Sequence, residues 1–279
     1  MIQPGRTILL LGAPGSGKST MARQILQAKG SGLIALAEGM NEFASYKIFA
    51  DKPEYRIEGF DDPDYFPTAD SLKATGYDRL LAWLRGVYAT LQAEVKDGKP
   101  LRFQVLVLDT FNGMATLAMN KTHAHHGLSS APAAMSPTGS SFWGYQRQQQ
   151  EQLVRIARCI AGLGVHLVVT CHVAEKEMKD TAMANPNALE EAKNKVGIVP
   201  ALSGGFRDVF AGQFDLVLHC GVTQVEREGV KSAAHFLRCQ PSDKRPTKLR
   251  GVYGSLGGAK IAADWLKLEA KLQELEANA

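Results

Sequence analysis

The run GAPGSGKST, Gly12 to Thr20, sets three glycines, one lysine and three hydroxyl side chains within nine residues. Gly12, Gly17, Lys18 and Ser19 complete the pattern GxxxxGK[ST], with an aliphatic strand before it and a helical stretch after it. Glycines let the backbone wind so that successive N–H groups point at one phosphate, and the helix that follows adds its positive end. Lys18 would reach the β and γ phosphates, and the Ser19 hydroxyl would ligate Mg²⁺. Ala13, Pro14, Gly15, Ser16 and Thr20 complete the cradle, so the stretch implies ATP, with Mg²⁺, as its ligand.

Three polar residues end apolar runs. VLVLDT closes on Asp109 after four aliphatics, and a carboxylate beside a phosphate loop suits a metal held through water. A turn or helix-cap Asp is the plainer reading of the same residue. LIALAEG closes on Glu38, which would sit at the same rim as a base for an attacking water. Glu42 is its rival, and turn capping its plainer alternative. VHLVVTCHVAEKE ends its apolar part on Thr170, Cys171 and His172. No partner ligands at suitable spacing accompany this pair, which removes a metal site. Adjacent strand residues point to opposite faces, which removes a Cys/His nucleophile pair. Cys171 then reads as core and His172 as a polar residue at a strand end, placed to touch a ligand.

The elements that must position these groups follow from periodicity. Thr7 to Leu11 reads as a buried strand, MARQILQAKG as a helix ending on Gly30, and GLIALAEG as a second strand. Asn41 to about Ala74 carries little periodicity and reads as an irregular excursion with a short strand near Tyr55 to Ile57. YDRLLAWLRGVYATLQAEV reads as a helix, FQVLVLDTF as a third strand, and Gly113 to Ser141 as a loop of unusual length. FWGYQRQQQEQLVRIARCIAGLG reads as a long helix, followed by the strand ending at His172 and a second polar segment to about Pro200. FDLVLHCGV and AAHFLRCQ read as two more strands, and residues from about 258 to 277 as an amphipathic helix. Apolar strands alternating with helices predict an α/β fold, a mostly parallel twisted sheet with helices on both faces. Without an internal repeat or a break in composition, residues 1–279 read as a single domain.

The 279 residues carry a formal charge of +4, which permits a polyanionic partner without demanding one. Four cysteines without CxxC spacing suggest neither a zinc ribbon nor a disulfide framework. The apolar stretch near the amino terminus is too short for a signal peptide or membrane span, so a cytoplasmic location without membrane contact is expected.

The order of phosphate loop, Glu38, Asp109, long segment, helix, strand ending at His172, second long segment, PALSGGFRD and FDLVLH resembles the core of the RecA superfamily. Within it, WGYQRQQQEQLVRIARCIAGLGVHLVVTCHV together with SDKR is most similar to short phage-encoded RecA-like ATPases, the group that includes single-strand-annealing recombinases. The resemblance spans nearly the whole chain. It implies a RecA-like ATPase core in which His172 senses the γ-phosphate and passes its presence to the following segment. It also implies two segments, about 113–141 and 173–204, facing single-stranded DNA. It implies a homo-oligomer with ATP at the subunit interface, completed by Lys244 and Arg245 from a neighbour. A single-strand-binding protein is a further partner consistent with this class, and a bacterial host cell its setting. The chain departs from RecA in starting its first strand at about residue 7, without a preceding polymerisation segment. The first segment holds only Lys121 and a few histidines, short of the basic character of a strong strand binder.

Arg238, Lys244, Arg245, Lys248 and Arg250 crowd one stretch with Asp243 the only acid, a cluster able to neutralise phosphates or simply to face water. His123, His125 and His126 read as part of an exposed mobile loop. Trp143 is expected to pack the long helix on the sheet, with Phe142 and Tyr145 divided between packing and base stacking. Ile261, Trp265, Leu268, Leu272 and Leu275 form an apolar stripe expected to pack on the chain's own core.

These readings converge on a Mg-dependent, DNA-stimulated ATPase of phage recombination or annealing. A helicase-like or loader ATPase of the same fold, a nucleoside or nucleotide kinase, and an annealing module using ATP only as a structural ligand are the rivals. The kinase reading lacks an Arg-rich lid.

Overall fold

The computed structural model describes residues 3–37, 40–62, 74–133, 136–177, 196–227, 230–239, 248–249, 256 and 261–278. Four aliphatic residues follow Thr7 in β1 (Thr7–Leu11), and the whole strand lies buried at the centre of a large mixed sheet. β2 (Gly32–Leu36), β3 (Tyr55–Gly59), β4 (Val105–Asp109) and β5 (His166–Cys171) run parallel to it. β8 (Leu216–Arg227) lies parallel on its other side and turns back as β9 (Val230–Arg238). The order is β11-β9-β8-β1-β5-β4-β2-β3, with β10 (Lys248–Leu249) on β8 and β11 (Ile261–Ala262) on β9. β5 therefore stands between the phosphate-loop strand and the strand that ends in Asp109.

Because side chains alternate along a strand, the aliphatic runs feed two cores. Leu9, Leu11, Leu106, Leu108, Leu167 and Val169 point to the face covered by α3 (Gly76–Lys96), α4 (Phe111–His126), α5 (Pro137–Gly162) and α6 (Phe206–Phe210). Ile8, Leu10, Ile34, Leu36, Val107 and Val168 point to the other, covered by α1 (Lys18–Lys29), α2 (Met40–Tyr46) and α7 (Trp265–Ala277). The expected sheet with helices on both faces is thus observed.

Three expectations need correction. Residues 113–126 are helix, not loop. Thr110 caps α4 by accepting from the Gly113 N–H at 3.2 Å, and Gly127 ends it with φ of 62°. His, Thr, Asn and Gly are weak helix formers, and they interrupt the buried face of Phe111, Met114, Ala115, Leu117 and Ala118, so periodicity alone did not expose this helix. The stretch 41–74 likewise contains α2, whose Tyr46 is fully buried. The carboxyl-terminal helix begins at Trp265, with Asp264 accepting from the Lys267 N–H at 3.3 Å, while Ile261 belongs to β11 and residues 257–260 lie outside the described residues.

The apolar stripe Trp265, Leu268 and Leu272 packs on the chain's own core as expected, and ion pairs fasten the same helix from its edge. Arg6 is 9% exposed; it donates from Nε and Nη2 to the Glu276 carboxylate at 2.8 and 2.7 Å, and its Nη1 lies 3.0 Å from Glu269 Oε2. Lys29 pairs with the other Glu269 oxygen at 2.8 Å. Burial works to raise the Glu269 pKa, but Lys29 and Arg6 outweigh it and hold the carboxyl below its ordinary range. The Arg6 N–H donates to His166 Nδ1 at 3.1 Å, and burial, helped by Lys29 and Arg6, pushes that imidazole from 6.5 down to about 4.

Both shifts act in one direction. Between pH 6.5 and about 4 the unfolded chain binds a proton on His166 that the folded chain refuses, so stability falls as pH falls through that window. Glu269 adds a loss further into acid. Denaturant midpoints at about pH 7 and about pH 5 are expected to differ more for the wild type than for His166→Asn, which retains an acceptor for the Arg6 N–H. An equal difference in the two proteins would dismiss His166 as the titrating group.

Candidate nucleotide site

Gly12 follows β1 directly, and its N–H donates to the Cys171 carbonyl of β5 at 3.2 Å. A Cβ there would lie 2.3 Å from Ser16 Oγ and 2.7 Å from the Cys220 carbonyl oxygen, so only glycine fits. Gly17 has φ of 93°, and a Cβ on it would strike His235 Nδ1 at 2.8 Å. From this turn α1 runs under the sheet, with its first N–H groups open toward the rim.

The cleft at the rim is about 640 Å³, a volume typical of small-molecule sites. Pro14, Gly15, Gly17, Lys18, Ser19, Thr20, Glu42, Ser45, Thr110, His172 and His235 line it. The expected cradle is therefore assembled, with Gly12, Ala13 and Ser16 forming its turn behind the lining. Lys18, 5% exposed, donates from Nζ to the carbonyls of Gly12 and Ala13, both at 2.9 Å, and meets His172 Nδ1 at 3.2 Å. An ammonium can only donate, so Nδ1 is the acceptor and a neutral ring carries its proton on Nε2.

Asp109 is 1% exposed and both carboxylate oxygens accept from hydroxyls, Oδ1 from Thr170 and Oδ2 from Tyr46 at 2.7 Å. Burial first, and then the Asp109 charge, raise the Tyr46 pKa well above its usual value, which keeps the phenol a neutral donor. The oxygen-only set of Ser19 and Asp109 fits a hard cation such as Mg²⁺, and these are the residues that would hold it. Among the described residues no cluster of three or more His, Cys, Asp or Glu offers an alternative metal site.

His172 is held from behind. Its N–H donates to Asn112 Oδ1 at 2.6 Å, Asn112 Nδ2 donates to the Ala201 carbonyl at 2.6 Å, and the Ala201 N–H donates to the His172 carbonyl at 2.8 Å. Ala201 follows β7 (Val196–Pro200), which pairs antiparallel with β6 (Val173–Glu177). The second long segment thus leaves and rejoins the site as a two-stranded ribbon, and Ser203 beyond it accepts from the buried Gln146 at 2.7 Å.

Glu38, Lys244 and Arg245 lie outside the described residues. The histidines of α4 are not on a mobile loop: His125 stacks on Tyr145 at 4.1 Å, and His123 and His126 pack against Phe142. Phe142, fully buried, packs the helix, whereas half-buried Trp143 donates to the Pro132 carbonyl at 3.2 Å and fixes the connection before α5. Tyr46, Thr170, Asn112 and His235 belong to the site without having been singled out. Thr170 and Asn112 sit two and three residues from the recognised strand-end residues His172 and Asp109, a usable signal; Tyr46 and His235 have none in the sequence.

A phosphate cradle at the carboxyl edge of a mostly parallel sheet, with a buried acid two strands away, defines a phosphate-loop nucleotide-binding ATPase. A family model described as an AAA domain matches residues 5–251, and the chain belongs to that family. No curated protein matches the sequence. Among the described residues no helix is long and apolar enough to cross a membrane.

Proposed function

We propose that this ATPase is a RecA-like protein that works on single-stranded DNA, in recombination or annealing of the phage-encoded type. The observation that carries the reading is the linked path from Lys18 Nζ through His172 to Ala201 at the foot of the β6–β7 ribbon. One group at the γ-phosphate position is thereby tied to one of the two segments proposed to meet DNA, about 173–204. The other segment proposed to face DNA, about 113–141, carries the body of α4 and, from Pro137, the start of α5.

In this reading Lys18 orients the β and γ phosphates, Ser19 and Asp109 hold Mg²⁺, and Glu38 orients the attacking water. The metal, when bound, neutralises charge developing on the phosphates. His172 exchanges its Lys18 contact for the γ-phosphate. Lys244 and Arg245 reach a neighbour's ATP in a homo-oligomer, in the host-cell cytoplasm, with a single-strand-binding protein as a further partner. Glu42 favours a second assignment of the base, because it lines the cleft beside Ser45 and Thr110.

Turnover of ATP with and without a single-stranded oligonucleotide tests the proposal. Stimulation on the order of tenfold is expected, and equal turnover would reject the DNA reading. Phosphoryl transfer to a nucleoside without DNA stimulation would favour a kinase. Glu38→Gln is expected to retain ATP binding and lose about 100-fold in hydrolysis, with Glu42→Gln changing little; the reverse pattern would move the base to Glu42.

A further inference from the structure

The residues lining the nucleotide cleft divide by the side of β1 from which they come. Thr110 and His172 stand just beyond β4 and β5, on one side of that strand. Among the described residues that line the cleft, His235 alone comes from the other side, where β8 and β9 lie. A triphosphate is a linear chain, and its nucleoside leaves from the end opposite the γ-phosphate. With Asp109 and His172 marking the γ-phosphate end on the β4 and β5 side, the nucleoside emerges toward β8 and β9.

His235 is held there by the phosphate loop itself. Its Nδ1 lies 3.2 Å from the Ser16 carbonyl oxygen. A carbonyl only accepts, so Nδ1 carries the proton and the neutral ring keeps its acceptor on Nε2. The ring also lies against Gly17, where a Cβ would stand 2.8 Å from Nδ1. One nitrogen is thus spent on the loop, and Nε2 has no hydrogen-bond partner among the described residues.

Val222 stands directly across from His235 in the β8–β9 ladder, so the two side chains share a face. One pair inward on that face, Cys220 and Leu237 are buried in the core that α1 covers. Val222 lies beyond this cover and is 44% exposed. The sheet therefore presents, beside the phosphate loop, an uncovered apolar side chain next to a fixed hydrogen-bond acceptor. Apolar contact for a ring plane with one well-placed polar group is the usual chemistry of a small-molecule subsite.

We propose that His235 and Val222 form the nucleoside subsite of the ATP cleft. Val222 lies under the base, and His235 Nε2 accepts from a nucleoside donor, either the adenine amino group or a ribose hydroxyl. The proposal rests on the assignment of the γ-phosphate end and not on the DNA reading.

Calorimetric titration at about pH 8, where an imidazole is neutral, with ATP and separately with inorganic tripolyphosphate tests it. His235→Ala is expected to weaken ATP about tenfold, the size of one hydrogen bond, and to leave tripolyphosphate within about twofold. Val222→Ser is expected to weaken ATP about threefold with the same indifference to tripolyphosphate. Inosine triphosphate, 2′-deoxy-ATP and 3′-deoxy-ATP each lack one candidate donor. The analogue whose binding does not weaken further in His235→Ala names the donor; a tenfold loss for all three would overturn the acceptor role. Equal weakening of ATP and tripolyphosphate in His235→Ala would make the residue a prop of the loop, and wild-type ATP affinity would remove it from the site. Either result overturns the proposal. Should His235→Ala not fold, His235→Phe keeps a ring without nitrogens and must show the same selective loss of ATP. Lys18→Ala must weaken both ligands; if tripolyphosphate binding survives it, the γ-phosphate end is misassigned and the proposal falls for that separate reason.

Discussion

Lys18→Ala is expected to weaken ATP binding by at least about 100-fold while leaving the protein folded. The side chain is 5% exposed, and its ammonium donates to two loop carbonyls and meets an imidazole. A triphosphate in the cradle would bring full negative charge to this ammonium. Charge-assisted hydrogen bonds contribute roughly 1.5–3 kcal/mol each, and one or two of them to phosphate oxygens account for the factor. Folding costs little, because Gly12 keeps its N–H bond to Cys171 and the αL turn at Gly17 does not depend on the lysine. Calorimetric titration with ATP checks the affinity and a melting curve checks the fold. Binding within about threefold of wild type would mean that the cradle holds phosphate by backbone alone.

The second large effect falls on Asp109→Asn. The amide has nearly the shape of the carboxylate, but one oxygen becomes an NH₂ that faces a hydroxyl donor, either Tyr46 or Thr170. Because position 109 is 1% exposed, that mismatch leaves a polar pair unsatisfied where water cannot repair it. Loss of the negative charge removes several kcal/mol of metal-dependent stabilisation, and ATP hydrolysis is expected to fall on the order of 100-fold or more. Nucleotide binding in excess EDTA should match wild type. If hydrolysis survives while EDTA-insensitive binding is lost, Asp109 is a cap that shapes the loop and not a metal residue.

The central strands were legible because each holds an unbroken run of three or four aliphatic residues, which suits burial on both faces. The same runs made their polar terminal residues conspicuous, so Asp109 and His172 could be read before any fold was known. α4 was not legible, because weak helix formers interrupt the buried face of Phe111, Met114, Leu117 and Ala118, and helix formation there is decided by packing on α5 and α3. Tyr46 shows a sharper limit. Its part in the site depends on Asp109, sixty-three positions later, accepting from its hydroxyl at 2.7 Å. Nothing local in MNEFASY distinguishes that tyrosine from one that merely fills a core. His235 is hidden for the same reason, reaching the Ser16 carbonyl at 3.2 Å from a strand more than two hundred residues away.

The central place of β1 has a consequence for how the chain comes to exist. Ile8 pairs with Val168 on one side and with Leu216 on the other, so the strand that carries the phosphate loop is among the first made and among the last to gain both neighbours. Long-range parallel pairing of this kind is slow and leaves hydrophobic edges open while it waits. During synthesis the loop Gly12 to Thr20 leaves the ribosome with its motif complete, but without the Cys171 and Cys220 carbonyls that flank Gly12 in the finished sheet. A nascent chain stopped before β8 therefore carries the whole phosphate motif and no finished pocket for it.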